Sequence, residues 1–324
     1  CIMIIENKDH GCTSLLIAVL GTILFFLLGC AGGKGFRMEI ETGNDSSQKI
    51  QELAENQTEG QLPGKDLPEM TGDEYERLGD ALLSKKNLYL AYVQYDKSLQ
   101  MNPGNLRVEY KKGLALLLGG KNDEAIQQVR IVIDKNPNYA PAYEGIGRAY
   151  FQKKEYSESE KKFLRAVILD PRLWQSYNYL GYIRDYRKDY KAAIHEYKSA
   201  LQIKPEKGFI HNNLGVSYSL AGNDKKAVAA FKKAIELNYR ESKVYNNMAL
   251  ALANLDRYEE ALDAFAKAGG EAQAYNNLGC IYLGRGMFEE AVISFEKAIE
   301  LEPSYYAKAG DNLKKAKALD SRIK

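Results

Sequence analysis

Past residue 71, small and bulky residues recur at a fixed step of 34. Small residues stand at Gly79, Gly113, Gly147, Gly181, Gly215, Ala249 and Gly279, with a last step of 30. A second small column follows twelve residues later at Ala91, Ala125, Ser159, Ala193, Ala227, Ala261 and Ala291. Then comes a bulky column, Tyr95, Val129, Phe163, Tyr197, Phe231, Phe265 and Phe295, and another mostly small one from Ser98 and Val132 to Ala298. Within each period the apolar positions follow helical spacing, so each unit predicts two amphipathic helices of about 14 residues, roughly 21 Å long. Gly or Ala on facing helices lets their backbones approach closely, and the bulky residue of the second helix is expected to fill the space between neighbouring hairpins. Pro103, Pro137, Pro171, Pro205 and Pro303 close their units, because the residue before a proline is pushed out of the α region.

These columns resemble the tetratricopeptide repeat, whose period and aromatic-small-aromatic pattern they reproduce. Tyr75, Tyr143, Tyr177, Tyr245 and Tyr275 stand where that family favours tryptophan. The resemblance implies an all-α fold: a right-handed superhelical solenoid of about seven helix hairpins over 72–305, with a C-terminal capping helix over 306–324. Three features depart from the pattern. Glu109 and Lys112 occupy apolar slots of repeat two, Arg184 is a misfit in repeat four, and repeat six is four residues short, with Gly269 and Gly270 where another turn belongs. The shortening reads either as drift in a surface connection or as a bend that shapes a binding groove.

The chain before the repeats has a different character. Leu15 to Leu28 is an uncharged apolar run ending in Leu27-Leu28-Gly29-Cys30. Its length fits the core of an export signal, with an uncleaved membrane anchor as the competing reading. The ending resembles a bacterial lipobox, which implies a signal helix over 1–29 and lipidation of Cys30; Ala31 after it resembles the pattern directed to an outer membrane facing the periplasm. Residues 30–71 are rich in Gly, Asn, Gln and Glu, carry more acid than base, and are expected to form a disordered tether.

Overall charge is balanced, 45 Lys plus Arg against 43 Asp plus Glu, which argues against a general nucleic-acid binder. The four cysteines lack metal-ligand spacing, the three histidines fall outside any HExxH arrangement, and no phosphate loop or nucleophile elbow occurs. The expectation is therefore a non-enzymatic protein with no cofactor and no metal.

Candidate binding residues lie on the first helix of each unit, which lines the concave side in such stacks. The motifs YNYLG, HNNLG, YNNMA and YNNLG place Asn178, Asn212, Asn246 and Asn276 at one helical position, with Asn213, Asn247 and Asn277 beside them. An asparagine amide donates and accepts, so such a ladder suits the backbone of an extended peptide. Capping or bridging between helices is the alternative use of these amides. Tyr110, Tyr179, Tyr182 and Arg148 supply candidate aromatic and cationic anchors. The family's carboxylate clamp is not matched, since Glu76 and Asp80, Tyr110 and Leu114, or Glu144 and Arg148 fill its slots. Lipobox, tether and repeats together resemble lipoproteins that assist pilus assembly, the type IV pilotins and the TadD-type proteins of Flp pili; 212–282 carries the latter likeness. The resemblance implies a secretin or another pilus subunit as partner. Adaptors for polysaccharide export or peptidoglycan enzymes form the alternative class.

Overall fold

A computed structural model describes residues 70–303 and 306–321, with side chains from 309 onward in the last helix. The signal segment, Cys30 and all but the end of the tether lie outside these residues. The elements among the described residues are helices: α1 (Gly72–Ser84), α2 (Leu88–Met101), α3 (Leu106–Leu118), α4 (Asn122–Lys135), α5 (Ala140–Gln152), α6 (Tyr156–Leu169), α7 (Trp174–Tyr186), α8 (Tyr190–Ile203), α9 (Gly208–Leu220), α10 (Asp224–Glu236), α11 (Ser242–Asn254), α12 (Tyr258–Gly269), α13 (Glu271–Gly284), α14 (Phe288–Leu301) and α15 (Tyr306–Asp320). Among the described residues no helix is long and apolar enough to cross a membrane. The chain divides into two compact units, one ending at Ile183 and the other beginning at Arg184.

α1 opens with a reciprocal cap. The Thr71 hydroxyl accepts from the Glu74 amide, and the Thr71 amide donates to the Glu74 carboxylate at 2.7 Å, so two otherwise unpaired donors at the helix start are satisfied. Each hairpin is closed by one residue at the same repeat position in the left-handed region. That residue is Lys86, Gly120, Lys154, Lys188, Gly222, Asp256 or Gly286, with φ between 59° and 76°.

The small and bulky columns meet inside each hairpin. A Cβ added at Gly79 would lie 2.5 Å from the Tyr95 ring, at Gly147 2.8 Å from Phe163, at Gly215 2.6 Å from Phe231, and at Gly279 2.8 Å from Phe295. All four rings are fully buried. The bulky residue thus lies on the glycine of its own hairpin, where the absent side chain opens the slot it occupies. Ser159 keeps its small slot by donating its hydroxyl to the Gly147 carbonyl at 2.8 Å.

In the first unit, α1–α2, α3–α4 and α5–α6 form hairpins, each packed on the next. The polar intrusions of repeat two are matched by partners. Lys112 reaches Asp96 at 2.6 Å and lies over the Tyr92 ring, while Glu109 accepts from Gln128 at 3.0 Å. In the second unit, α9–α10, α11–α12 and α13–α14 repeat the arrangement. α15 packs on α14, burying Ala309 and Ala316 against a cluster with Phe295 and Leu283. The short repeat six ends at Gly270, whose φ of 89° lets α13 start immediately after α12.

Candidate functional site

α5 and α7 build a polar cluster in the first unit. Glu144 is buried on α5 and accepts from the Ser176 hydroxyl of α7 at 2.7 Å. Burial pushes its carboxyl above the usual range, against the lowering pull of Ser176 and Arg148. Arg148 lies one turn along the same helix. Burial opposes its charge, but Tyr179, Tyr110 and Glu144 together outweigh that and hold it protonated; its Nε has no partner. The Tyr179 hydroxyl is pushed up to about 12 by burial, and burial likewise raises Tyr110. The structure therefore brings Tyr110, Arg148 and Tyr179 together around Glu144.

Tyr179 and Tyr182 also belong to an aromatic core. The Tyr179 ring stacks on Phe163 at 4.8 Å, and Tyr182 meets Phe151 edge-on at 4.8 Å. The Tyr179 ring is thus buried in packing, while Tyr182, half-buried, keeps part of its ring in solvent. Asn178 is buried on the same helix.

In the second unit the predicted amides fall into two groups. Asn212, Asn213 and Asn276 are buried, whereas Asn246, Asn247 and Asn277 are half-buried. Asn212 donates to Asn213 at 3.5 Å and accepts from Asn247 at 3.4 Å, so part of the ladder bridges α9 and α11. At the equivalent position of the next two repeats, Asn246 Oδ1 and both amide atoms of Asn276 are removed from water with no hydrogen-bond partner. A buried polar atom without a partner costs about 1–3 kcal/mol; the chain itself covers Asn276, whereas Asn246 keeps part of its surface in solvent.

Nearby, Asp185 accepts from the Ser217 hydroxyl at 2.8 Å, and burial raises its carboxyl. Cys280 is buried on α13, where it accepts from Asn312 at 3.6 Å. His211 bonds the Pro205 carbonyl at 2.9 Å and its basicity is lowered by burial, while His195 is exposed. Among the described residues no group of three or more His, Cys, Asp or Glu could hold a metal.

Glu144, Ser176 and Asp185 were not legible as site members. Only the four-residue spacing of Glu144 and Arg148 signalled that their side chains share a helix face. A separate ion network closes repeats one and two. Glu76, nearly buried, is bonded by Arg107 and Lys111, each at 2.8 Å, and Lys111 also reaches Asp80 at 2.6 Å. Burial pushes the Glu76 carboxyl up, but these bonds outweigh it and hold it below the usual range.

Sequence models of the tetratricopeptide repeat match residues 110–173, 210–240, 243–268 and 272–305. The chain is 30% identical over 76 residues to human Superkiller complex protein 3, covering 24% of this chain and 5% of that one. It is 31% identical over 93 residues to small glutamine-rich tetratricopeptide repeat-containing protein 2 of Mycosarcoma maydis, covering 29% of this chain and 26% of that one. The matched stretches are thus a minor part of these relatives' lengths. Among solved structures, the C-terminal part of a TPR repeat-containing protein from Cytophaga hutchinsonii superposes with a TM-score of 0.57 at 19% identity, covering 73% of this chain and 98% of that one. The period of 34 and the glycine–aromatic contacts agree with these matches that residues 110–173, 210–240, 243–268 and 272–305 are tetratricopeptide repeats, and the solved structure shares the fold.

Proposed function

We propose that this chain is a non-enzymatic scaffold that holds a protein or peptide partner along the first helices of its repeats, tethered to a membrane by lipid on Cys30. The observation that carries the reading is half-buried Asn246, whose Oδ1 has no partner, in a stripe of amides at one repeat position in successive hairpins. An extended polypeptide offers backbone donors and acceptors to such atoms irrespective of its side chains. Half-buried Asn247 and Asn277 widen the same stripe. The repeat class supports a protein partner rather than a small substrate.

The envelope location and the process rest on sequence resemblance: the apolar run ending in Cys30, the acidic segment and the repeats resemble pilus-assembly lipoproteins, with a secretin or pilus subunit as the partner at the outer membrane. Crosslinked capture from native envelopes tests the binding reading. Changing Asn212, Asn246 and Asn276 together to Ala is expected to weaken capture with helical content retained; undiminished capture would show that the amides serve the fold. Cys30→Ser is expected to release the protein from membranes, and full retention would support an uncleaved anchor instead.

A further inference from the structure

A second surface, lined by none of the stripe's asparagines, lies between the second helices of repeats six and seven. There α12, α13 and α14 enclose a groove of about 260 Å³. Leu278 forms its buried floor, the tilted rings of Tyr258 and Tyr282, 4.8 Å apart, form a wall, and Ile293 stands at the edge with 61% of its surface in solvent. A large aliphatic side chain held out beside an apolar floor loses stabilisation that a partner's apolar side chain would restore. The groove is also built stiffly. The Tyr258 hydroxyl accepts from Arg285 at 2.7 Å and donates to Asp256 at 3.0 Å, which fixes its ring without any ligand.

The groove has a sign as well as a shape. Glu259 and Glu290 line it from opposite helices, and among the described residues neither forms an ion pair. The arginines that could neutralise them are engaged elsewhere: Arg257 holds Glu260 at 2.6 Å and Arg285 holds Asp256 at 2.6 Å. Both glutamates sit in the first turn of their helices, where the helix dipole favours acid. Both stay exposed beside the apolar floor, so the rim of the groove is negatively charged.

We infer that this groove docks a cationic amphipathic segment of a partner protein, with a bulky aliphatic side chain on Leu278 and Lys or Arg beside it pairing with Glu259 and Glu290. The surface is independent of the amide stripe, so either can fail without the other.

The test uses the full chain and a fluorescein-labelled 15-residue model helix carrying leucines along one face and lysines flanking them. Saturable binding is expected, weakened by raised salt. It should fall about five-fold or more in the double variant Glu259→Gln, Glu290→Gln, where two partly exposed pairs are removed, and also in Ile293→Ser. It should be unchanged in Asn246→Ala, Asn277→Ala. All three variants alter surface or half-buried side chains, and an unchanged thermal melt checks their fold. Equal affinity for the double variant, equal binding of the same helix with glutamate in place of lysine, or loss of binding in the asparagine variant would each overturn the proposal. So would concentration-dependent dimerisation abolished by Ile293→Ser, which would assign the face to a second copy.

Discussion

The turn inside each hairpin offers a perturbation whose sign is set by one dihedral angle. At this position every repeat holds its residue at positive φ, yet Lys86, Lys154, Lys188 and Asp256 are not glycine, whereas Gly120, Gly222 and Gly286 are. An L-residue in the left-handed region costs about 1–2 kcal/mol. Glycine avoids that cost but loses more unfolded-state freedom, which returns about 0.5–1 kcal/mol to any other residue. Lys154 is exposed with φ of 62°, and its amide bond to the Phe151 carbonyl at 2.9 Å survives substitution. Lys154→Gly is therefore expected to stabilise by about 0.5–1 kcal/mol, the difference of the two terms. Gly222→Ala is the reciprocal change. A Cβ there meets nothing within 4 Å, so only backbone strain acts, and a loss of about 0.5–1 kcal/mol is expected. Urea titration followed by helical circular dichroism reads both, with hydrogen exchange of the flanking helices locating the change, since repeat stacks open locally. A destabilising Lys154→Gly or a neutral Gly222→Ala would refute the argument that the dihedral sets these energies.

Other changes test packing and electrostatics. Phe231→Ala removes a fully buried ring lying on Gly215 and should cost about 3–5 kcal/mol in chemical denaturation. Glu144 has its carboxyl raised by burial, so the folded state holds its proton more tightly than the unfolded chain does. Stability from this group is accordingly lost as pH rises from the ordinary carboxylate value through the raised one. Glu144→Gln, which keeps an acceptor for Ser176, should flatten that decline and leave stability at neutral pH equal or higher; a steeper decline would show the charge is favourable where it stands. Glu76 is the opposite case, its carboxyl held down by Arg107 and Lys111. Glu76→Gln should weaken the protein above the ordinary carboxylate pKa and have little effect in acid, read as melting temperature against pH.

Much of the fold was legible because its energetics are periodic. A glycine every 34 residues opposite an aromatic sixteen residues later leaves few ways to pack, and Gly79 on Tyr95 or Gly215 on Phe231 is that pattern realised. The left-handed turn was hidden where Lys or Asp occupies it, since these residues advertise no positive φ. The misfits of repeat two looked like weak packing in sequence, yet Lys112 and Glu109 each find a partner on the adjoining helix. Such pairing depends on side-chain reach across 16 to 19 residues, which helical spacing does not encode. At the candidate site, periodicity placed the amides at one position but could not grade their burial. Asn276 and Asn277 are adjacent letters, and one is sealed while the other is half open. Tyr179 and Tyr182 were read as anchors from residue type; beside Phe151 and Phe163, Tyr179 is buried and Tyr182 half-buried.

The central claim is that the asparagine stripe touches another polypeptide. Its most direct measurement places a photo-crosslinking amino acid at Asn246 or Asn277, and separately at exposed Lys225 and Lys232 on α10, then irradiates cells carrying each variant. The account predicts a discrete partner adduct from the two asparagine positions and none from the two lysines. Adducts from the lysines alone, or from no position, would contradict it.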